Sequence, residues 1–317
     1  MPPSPPFKLF IIYAREDHLA LLELKAHLRP LEKRGDLTVW YDGEILPGEK
    51  WDDSIKAELE TADIVLLFIS KSFFNSEYIE KEELKKAFDR HRKSKATVVP
   101  VIIKPCLWDV HDEIASLQVL PKDGKAVSSW GDSDEAWMDV ARGVQKIVEV
   151  KVAAYEEFLA KEDVKQALVF YKEYKVQEAY RILSKHEGNP RLMTADAYYI
   201  LAEMLFYGEG GAKQNYAEAF GHYLKAAQRK YKPACIQIGT MFQNGYGTHK
   251  NFYEAEQWYL KAEKGGDSLA QYYLGALYEE EEEGTGNMES AVIWYRKAAV
   301  QGNLKAKASL KSLGYSE

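Results

Sequence analysis

Cysteine is scarce: Cys106 and Cys235 are the only two in 317 residues. Each stands alone in its segment, with neither metal-ligand spacing nor a disulfide framework, so both are expected to be small buried hydrophobes. Long apolar runs are missing as well. No stretch of about 18 uncharged apolar residues occurs, and Met1 to Pro6 has neither a basic nor an apolar leader region, so the expectation is a cytoplasmic protein with no membrane span. A basic face is also lacking. The formal net charge is -7, and the first 150 residues carry 21 basic against 27 acidic side chains, a balance that argues against a nucleic-acid partner. What the chain does have is 46% hydrophobic and 13% aromatic content, enough for two cores.

In the first half, Leu9 to Tyr13, Leu37 to Tyr41, Ile64 to Ser70 and Thr97 to Ile103 are short apolar runs rich in β-branched and aromatic residues. Longer helical patterns lie between them. Strands buried on both faces read this way, which predicts a parallel α/β sheet. Leu19, Leu22, Leu24, Leu28 and Leu31 keep helical spacing up to a C-cap at Gly35, and Trp51, Ile55 and Leu59 repeat every four residues, with Trp51 expected in the core. Ligands of such sheets bind beyond the carboxyl ends of the strands, so chemistry is sought in the loops after Tyr13, Tyr41 and Ser70. Four glutamates among residues 77 to 83 open the helix after the third strand, where acids also serve the helix dipole.

The run from Phe10 to Asp17 resembles the opening box of TIR (Toll/interleukin-1 receptor) domains. The stretch from Val39 to Asp42 and on through Leu46 to Trp51 resembles the second box and BB loop, and Ala62 to Ser70 the third strand. Val99 to Trp108, then Leu120 to Lys125 and Ser128 to Trp130, are similar to the later strands of a bacterial TIR group. The resemblance covers roughly residues 7 to 150 and implies a flavodoxin-like fold.

It also implies either an NAD+ glycohydrolase, which cuts nicotinamide from ribose and can cyclise the ADP-ribose product, or a non-catalytic adapter that makes protein contacts only. A secreted imitator of host TIR domains is a third reading, with no targeting signal behind it. The enzyme branch uses one glutamate on the helix after the third strand, because a fixed anion stabilises an oxocarbenium-like transition state as the cationic leaving group departs. No metal and no cofactor are needed, NAD+ being the substrate. Counting from Tyr78 selects Glu82, whereas the bacterial ending of Glu before an apolar residue selects Glu83. Glu83 is preferred, since Leu84, Ala87 and Phe88 form an apolar stripe with Glu83 at its edge and Glu82 pointing away.

In the enzyme reading Tyr13, Ala14 and Arg15 line the cleft and Asp42 its entrance, while Ser70 contacts a ribose. Tyr13 could equally be strand-end packing, Asp42 a turn cap and Ser70 a helix cap. Pro47-Gly48 is a turn, and in the family that loop governs access and self-association. His18, His27, His91 and His111 have no recognisable partner spacing and are expected on the surface.

In the second half, Ala255, Trp258, Tyr259, Lys261 and Ala262 recur 36 residues later as Ala291, Trp294, Tyr295, Lys297 and Ala298. Glu218, Ala219, Tyr223 and Ala226 stand one unit earlier. Ala197, Leu201, Gly208 and Gly210 match Ala234, Ile238, Gly245 and Gly247 at 37. A repeat of this period predicts stacked helix pairs with a continuous core. The unit resembles the SEL1 repeat, a relative of the tetratricopeptide repeat, with a degenerate leading pair from Val164 to His186. The acidic run Glu279 to Glu283 with Gly284 to Gly286 reads as a solvated loop. The concave face of such an array suits a protein, peptide or small ligand.

The expected organisation is a disordered tail (1–6), a TIR domain (7–150), a helical linker (151–162) and an all-α solenoid of SEL1-like helix pairs (163–317). Family resemblance further implies activation by self-association through the TIR domain, regulation by the repeats, and a role in bacterial antiphage signalling.

Overall fold

The chain is described by a computed structural model covering residues 2–45, 50–280 and 287–315. Contacts divide it into two units, Met1–Phe158 and Leu159–Glu317. That division falls inside the stretch 151–162, which is helical throughout.

In the first unit, β1 (Phe7–Ile12), β2 (Leu37–Trp40), β3 (Ile64–Ile69) and β4 (Thr97–Ile102) form one parallel sheet in the order β2-β1-β3-β4. All six side chains of β3 are buried. Successive residues face opposite sides of a pleated strand. Leu66 and Phe68 therefore join α1 (His18–Lys33) and the first part of α6 (Ser133–Lys172) in one core, and Val65 and Leu67 join α2 (Trp51–Thr61) and α4 (Lys85–Arg92) in another. Helices on both faces make a three-layer α/β domain.

Three details depart from expectation. On α1 the buried leucines are Leu21, Leu24, Leu28 and Leu31, whereas Leu19 and Leu22 are exposed, because spacing of three, four and three keeps only the former set on one arc. The region likened to later strands adds a single bridge, Val101 to Leu120, and two short helices, α3 (Lys71–Phe74) and α5 (Asp112–Ala115), fill the loops. Cys106 is only half-buried, unlike Cys235. The Pro47-Gly48 turn and the side chain of Trp51 lie outside the described residues.

In the second unit, α7 (Val176–His186) follows the end of α6 as the irregular leading pair. The repeats are α8 (Ala195–Tyr207) with α9 (Tyr216–Gln228), α10 (Lys232–Asn244) with α11 (Phe252–Glu263), and α12 (Ser268–Glu280) with α13 (Met288–Val300), closed by α14 (Leu304–Ser312). The period is built from equivalent contacts. Asn215, Asn251 and Asn287 each cap the second helix of a pair, their side chains accepting from the backbone N–H three residues on. Tyr223, Tyr259 and Tyr295 are fully buried.

Gly247 shows why glycine recurs between the helices of a pair: its φ is +68°, and a Cβ there would meet the Tyr216 carbonyl carbon at 2.6 Å. Glu279 and Glu280 belong to α12, accepting from Tyr295 at 2.5 Å and from Gln243 at 2.6 Å, while 281–286 lie outside the described residues. Among the described residues no helix is long and apolar enough to cross a membrane.

Candidate functional site

Strand order reverses at β1, which pairs with β2 on one side and β3 on the other. The loops leaving the carboxyl ends of neighbouring strands must part there, and the gap they leave is the usual ligand site of open parallel sheets. A cavity of about 400 Å³ opens at this point. Tyr13, Ala14 and Arg15 reach it from β1, Asp42 from β2, and Ser72, Asn75, Ser76, Tyr78, Ile79 and Glu83 from the segment after β3. Five of the six sequence-selected residues therefore converge: Glu83, Tyr13, Ala14, Arg15 and Asp42.

Ser70 does not join them. It is fully buried, donates to Asp17 at 2.5 Å and caps α3 by accepting from the Phe73 N–H at 3.1 Å. Asp17, itself buried, also receives Lys104 Nζ at 2.6 Å. This triad ties the loop after β1 to the ends of β3 and β4, and so fixes the cavity wall. Its members are 53 and 87 residues from Asp17 along the chain, and nothing local in the sequence announces the pairing.

The helix carrying Glu83 is not regular. Ile79–Leu84 forms a π-helical turn that runs on into α4. In an α-helix five residues advance about 140° past a full turn, whereas the i→i+5 pattern of a π-turn brings them close to one revolution. Tyr78 and Glu83 thereby share the cavity. The buried stripe runs Ile79, Glu83, Ala87, Phe88 and Arg90, with Leu84 only half-buried. Glu83 thus occupies the stripe, not its edge. Glu82 faces solvent and pairs with Lys56 at 3.3 Å.

Glu83 is 8% exposed. Burial, and then the negative charge of Asp42, push its carboxyl up to about 8. Tyr13 donates a short hydrogen bond to Asp42 and lies 3.3 Å from His18 Nδ1; burial and Asp42 raise its pKa. His18 is thus exposed but partnered. Tyr78 donates to Asp52 at 2.5 Å, and burial followed by that bond raises its pKa. Two phenols anchored to carboxylates therefore flank one buried, uncoordinated acid. A polar cavity of this size suits a nucleotide-sized ligand. A strongly shifted acid in such a cleft is a candidate for chemistry.

Comparison with known proteins agrees with both halves. Residues 9–138 match the TIR domain family, and residues 195–231, 232–267 and 268–303 each match the Sel1 repeat. A curated relative, the uncharacterized protein y4lF of Sinorhizobium fredii, is 33% identical over 138 residues, covering 44% of this chain and 42% of its own. Among solved structures, a Sel1 repeat protein from Oxalobacter formigenes is 28% identical with a TM-score of 0.40, over 47% of this chain and 57% of that one. The protective antigen c5321 of uropathogenic Escherichia coli, described as displaying an SLR fold, is 19% identical with a TM-score of 0.45, over 94% and 57%. The chain spans well under two thirds of the length of each of these proteins. It carries a TIR domain followed by Sel1 repeats.

Proposed function

We propose that this TIR domain is an NAD+ glycohydrolase in which Glu83 is the catalytic anion. The observation that carries the reading is the burial of one carboxyl, raised by its surroundings, on the wall of a nucleotide-sized cavity at the sheet's switch point. With NAD+ bound, the bond from the ribose anomeric carbon to the nicotinamide nitrogen breaks and its electron pair leaves with neutral nicotinamide. The ribose is left as an oxocarbenium ion, and a carboxylate beside it offsets the charge. Water then adds to that carbon and gives its proton to Glu83 or solvent, yielding ADP-ribose; attack by the adenine ring instead yields a cyclic product. Tyr13 with Asp42, and Tyr78 with Asp52, hold the walls against which the substrate is oriented. Arg15 and Ala14 line the same cavity from the β1 loop.

The domain organisation supports a division of labour in which the repeats recruit or sense and the TIR domain responds on self-association, as in antiphage signalling. A silent adapter is the competing reading, and the raised carboxyl gives it one point of support, since at neutral pH most chains hold Glu83 protonated. One experiment separates the two. The purified chain at high concentration, with crowding agent and at pH 8.5, is followed for nicotinamide release beside the Glu83→Gln variant. Release by the native chain and not by the variant is the expected result; release by neither overturns the enzyme reading.

A further inference from the structure

A second cluster of chemically capable side chains lies in the Sel1 array, independent of NAD+ cleavage. His222 stands on α9 at the position where the next two repeats carry Trp258 and Trp294, 36 and 72 residues on. In those repeats the indole is covered by the lysine three residues later, at 4.2 and 3.8 Å from the ring centroid. The imidazole is smaller and polar, and it is 4% exposed. Its Nδ1 has no hydrogen-bond partner. Its Nε2 faces Glu187 Oε2 at 3.4 Å, and one ligand atom each from Glu187, Glu218 and His222 all lie within 4.8 Å of one another.

The ring is buried with Nε2 turned to the carboxylates, so it presents one nitrogen to the cluster. In the tautomer with its proton on Nδ1, the ring turns the Nε2 lone pair toward two carboxylates that repel each other. A cation among the three relieves both defects.

We propose that Glu187, Glu218 and His222 bind one divalent transition metal ion of the zinc class. The donor set fits: one imidazole and two carboxylates suit zinc, whereas magnesium and calcium favour oxygen alone. The spacing fits as well. Ligands about 2.1 Å from a tetrahedral centre are separated by about 3.4 Å, the present Nε2 to Oε2 distance, and no pair, all lying within 4.8 Å, need close by more than about 1.4 Å on binding. Glu187 caps the C-terminus of α7, while Glu218 and His222 sit one turn apart on α9. The ion thus clasps the leading helix to the first repeat and leaves a fourth position for water. Lys225 and Arg229 bring positive charge nearby, but both lie over the Tyr198 ring, at 5.3 and 4.7 Å from its centroid. Their presence lowers affinity without filling the site.

The test uses the full chain, untagged and stripped with chelator, titrated with zinc by calorimetry and with cobalt by visible absorption. One ion per chain with low-micromolar or tighter affinity is expected, with affinity falling at least about 30-fold in Glu187→Gln and in His222→Trp. His222→Trp installs the residue the other repeats use, and Glu187→Gln alters a part-exposed helix end, so one reports on binding if the other folds poorly. Zinc should raise the melting temperature of the native chain and leave both variants unmoved. Absence of saturable uptake, or equal affinity in native chain and variants, overturns the site.

Discussion

Tyr78 and Glu83 are five residues apart, yet both line one cavity, because the turn between them is π-helical. The extra residue gives an aromatic and an acid the relation that spacing of four gives in a regular helix.

Removing the extra residue tests this. Deleting Lys81, an exposed residue paired with Glu77, should restore α-helical hydrogen bonding and leave Tyr78 and Glu83 four residues apart, on the same face as before. The expected outcome is nicotinamide release kept within about tenfold with the circular dichroism spectrum retained; a loss of about 100-fold or more would show that the two residues do not act through that shared face. Glu82→Gln breaks only an exposed contact with Lys56 and should keep activity within about threefold. Equal loss in Glu82→Gln and Glu83→Gln would place the catalytic acid elsewhere.

The raised carboxyl predicts a pH dependence of definite sign. Glu83 titrates from an ordinary value of 4.5 to about 8 in the folded domain. If the anion is the active form, kcat/KM rises roughly tenfold per pH unit between 6 and 8 and levels above, since that parameter reports the free enzyme. Stability moves the other way. An acid whose folded value is raised favours folding of its protonated form, so the domain loses stability as pH climbs from about 4.5 through 8. Glu83→Gln removes this loss, and its stability in urea unfolding should pull ahead of the native protein's across that window, by roughly 3 kcal/mol at pH 7. A difference that is constant with pH would show that the carboxyl is not desolvated.

The sheet was legible because buried β-branched runs have few alternatives, and the repeats because a period of 36 residues is written in the chain. Leu19 and Leu22 misled because leucine content does not define an arc; the 3.6-residue phase does, and it selects Leu21. The π-turn leaves no trace in composition. Reasoning on a regular helix put Glu83 beside a stripe led by Leu84, whereas the stripe passes through Glu83 itself. Ser70 could be read as cap or ligand until Asp17, 53 residues away, was seen to hold its hydroxyl. Such pairings depend on topology, and no local pattern encodes them. His222 was overlooked because its meaning lies in the contrast with Trp258 and Trp294.

The repeat core predicts opposite signs for one substitution at two glycines. A Cβ on Gly239 would meet the Tyr259 ring at 2.5 Å, and that ring is buried with its hydroxyl bonded to Gln243 at 2.7 Å, so it has no room to withdraw. Gly239→Ala should destabilise the array by about 1–2 kcal/mol after the helix-propensity gain. Gly221 lies inside α9 with nothing within 4 Å of an added Cβ, and Gly221→Ala should stabilise by up to about 1 kcal/mol. Urea unfolding of the two variants reads both, and a shared sign would mean that packing around Tyr259 is looser than described.

Separability of the two units is the last expectation. The TIR core draws on α6 as far as Val152, and the repeat core begins with Ala160; residues 153–159 belong to neither. Cutting at the division between Phe158 and Leu159 therefore severs a helix backbone without exposing a buried cluster. Fragments 1–158 and 159–317 should each unfold cooperatively, because each retains its whole hydrophobic core. Among the described residues, those lining the candidate cavity lie between Phe10 and Glu83, so on the proposed function fragment 1–158 should keep NAD+ cleavage that grows with protein concentration, as expected if self-association activates it. What it should lose is any response that needs the repeats as sensor, since a switch requires both sites. Nicotinamide release measured for fragment and full chain over a wide concentration range decides the matter. A folded fragment that stays inactive even when tethered into oligomers would mean that the repeats are needed for catalysis itself.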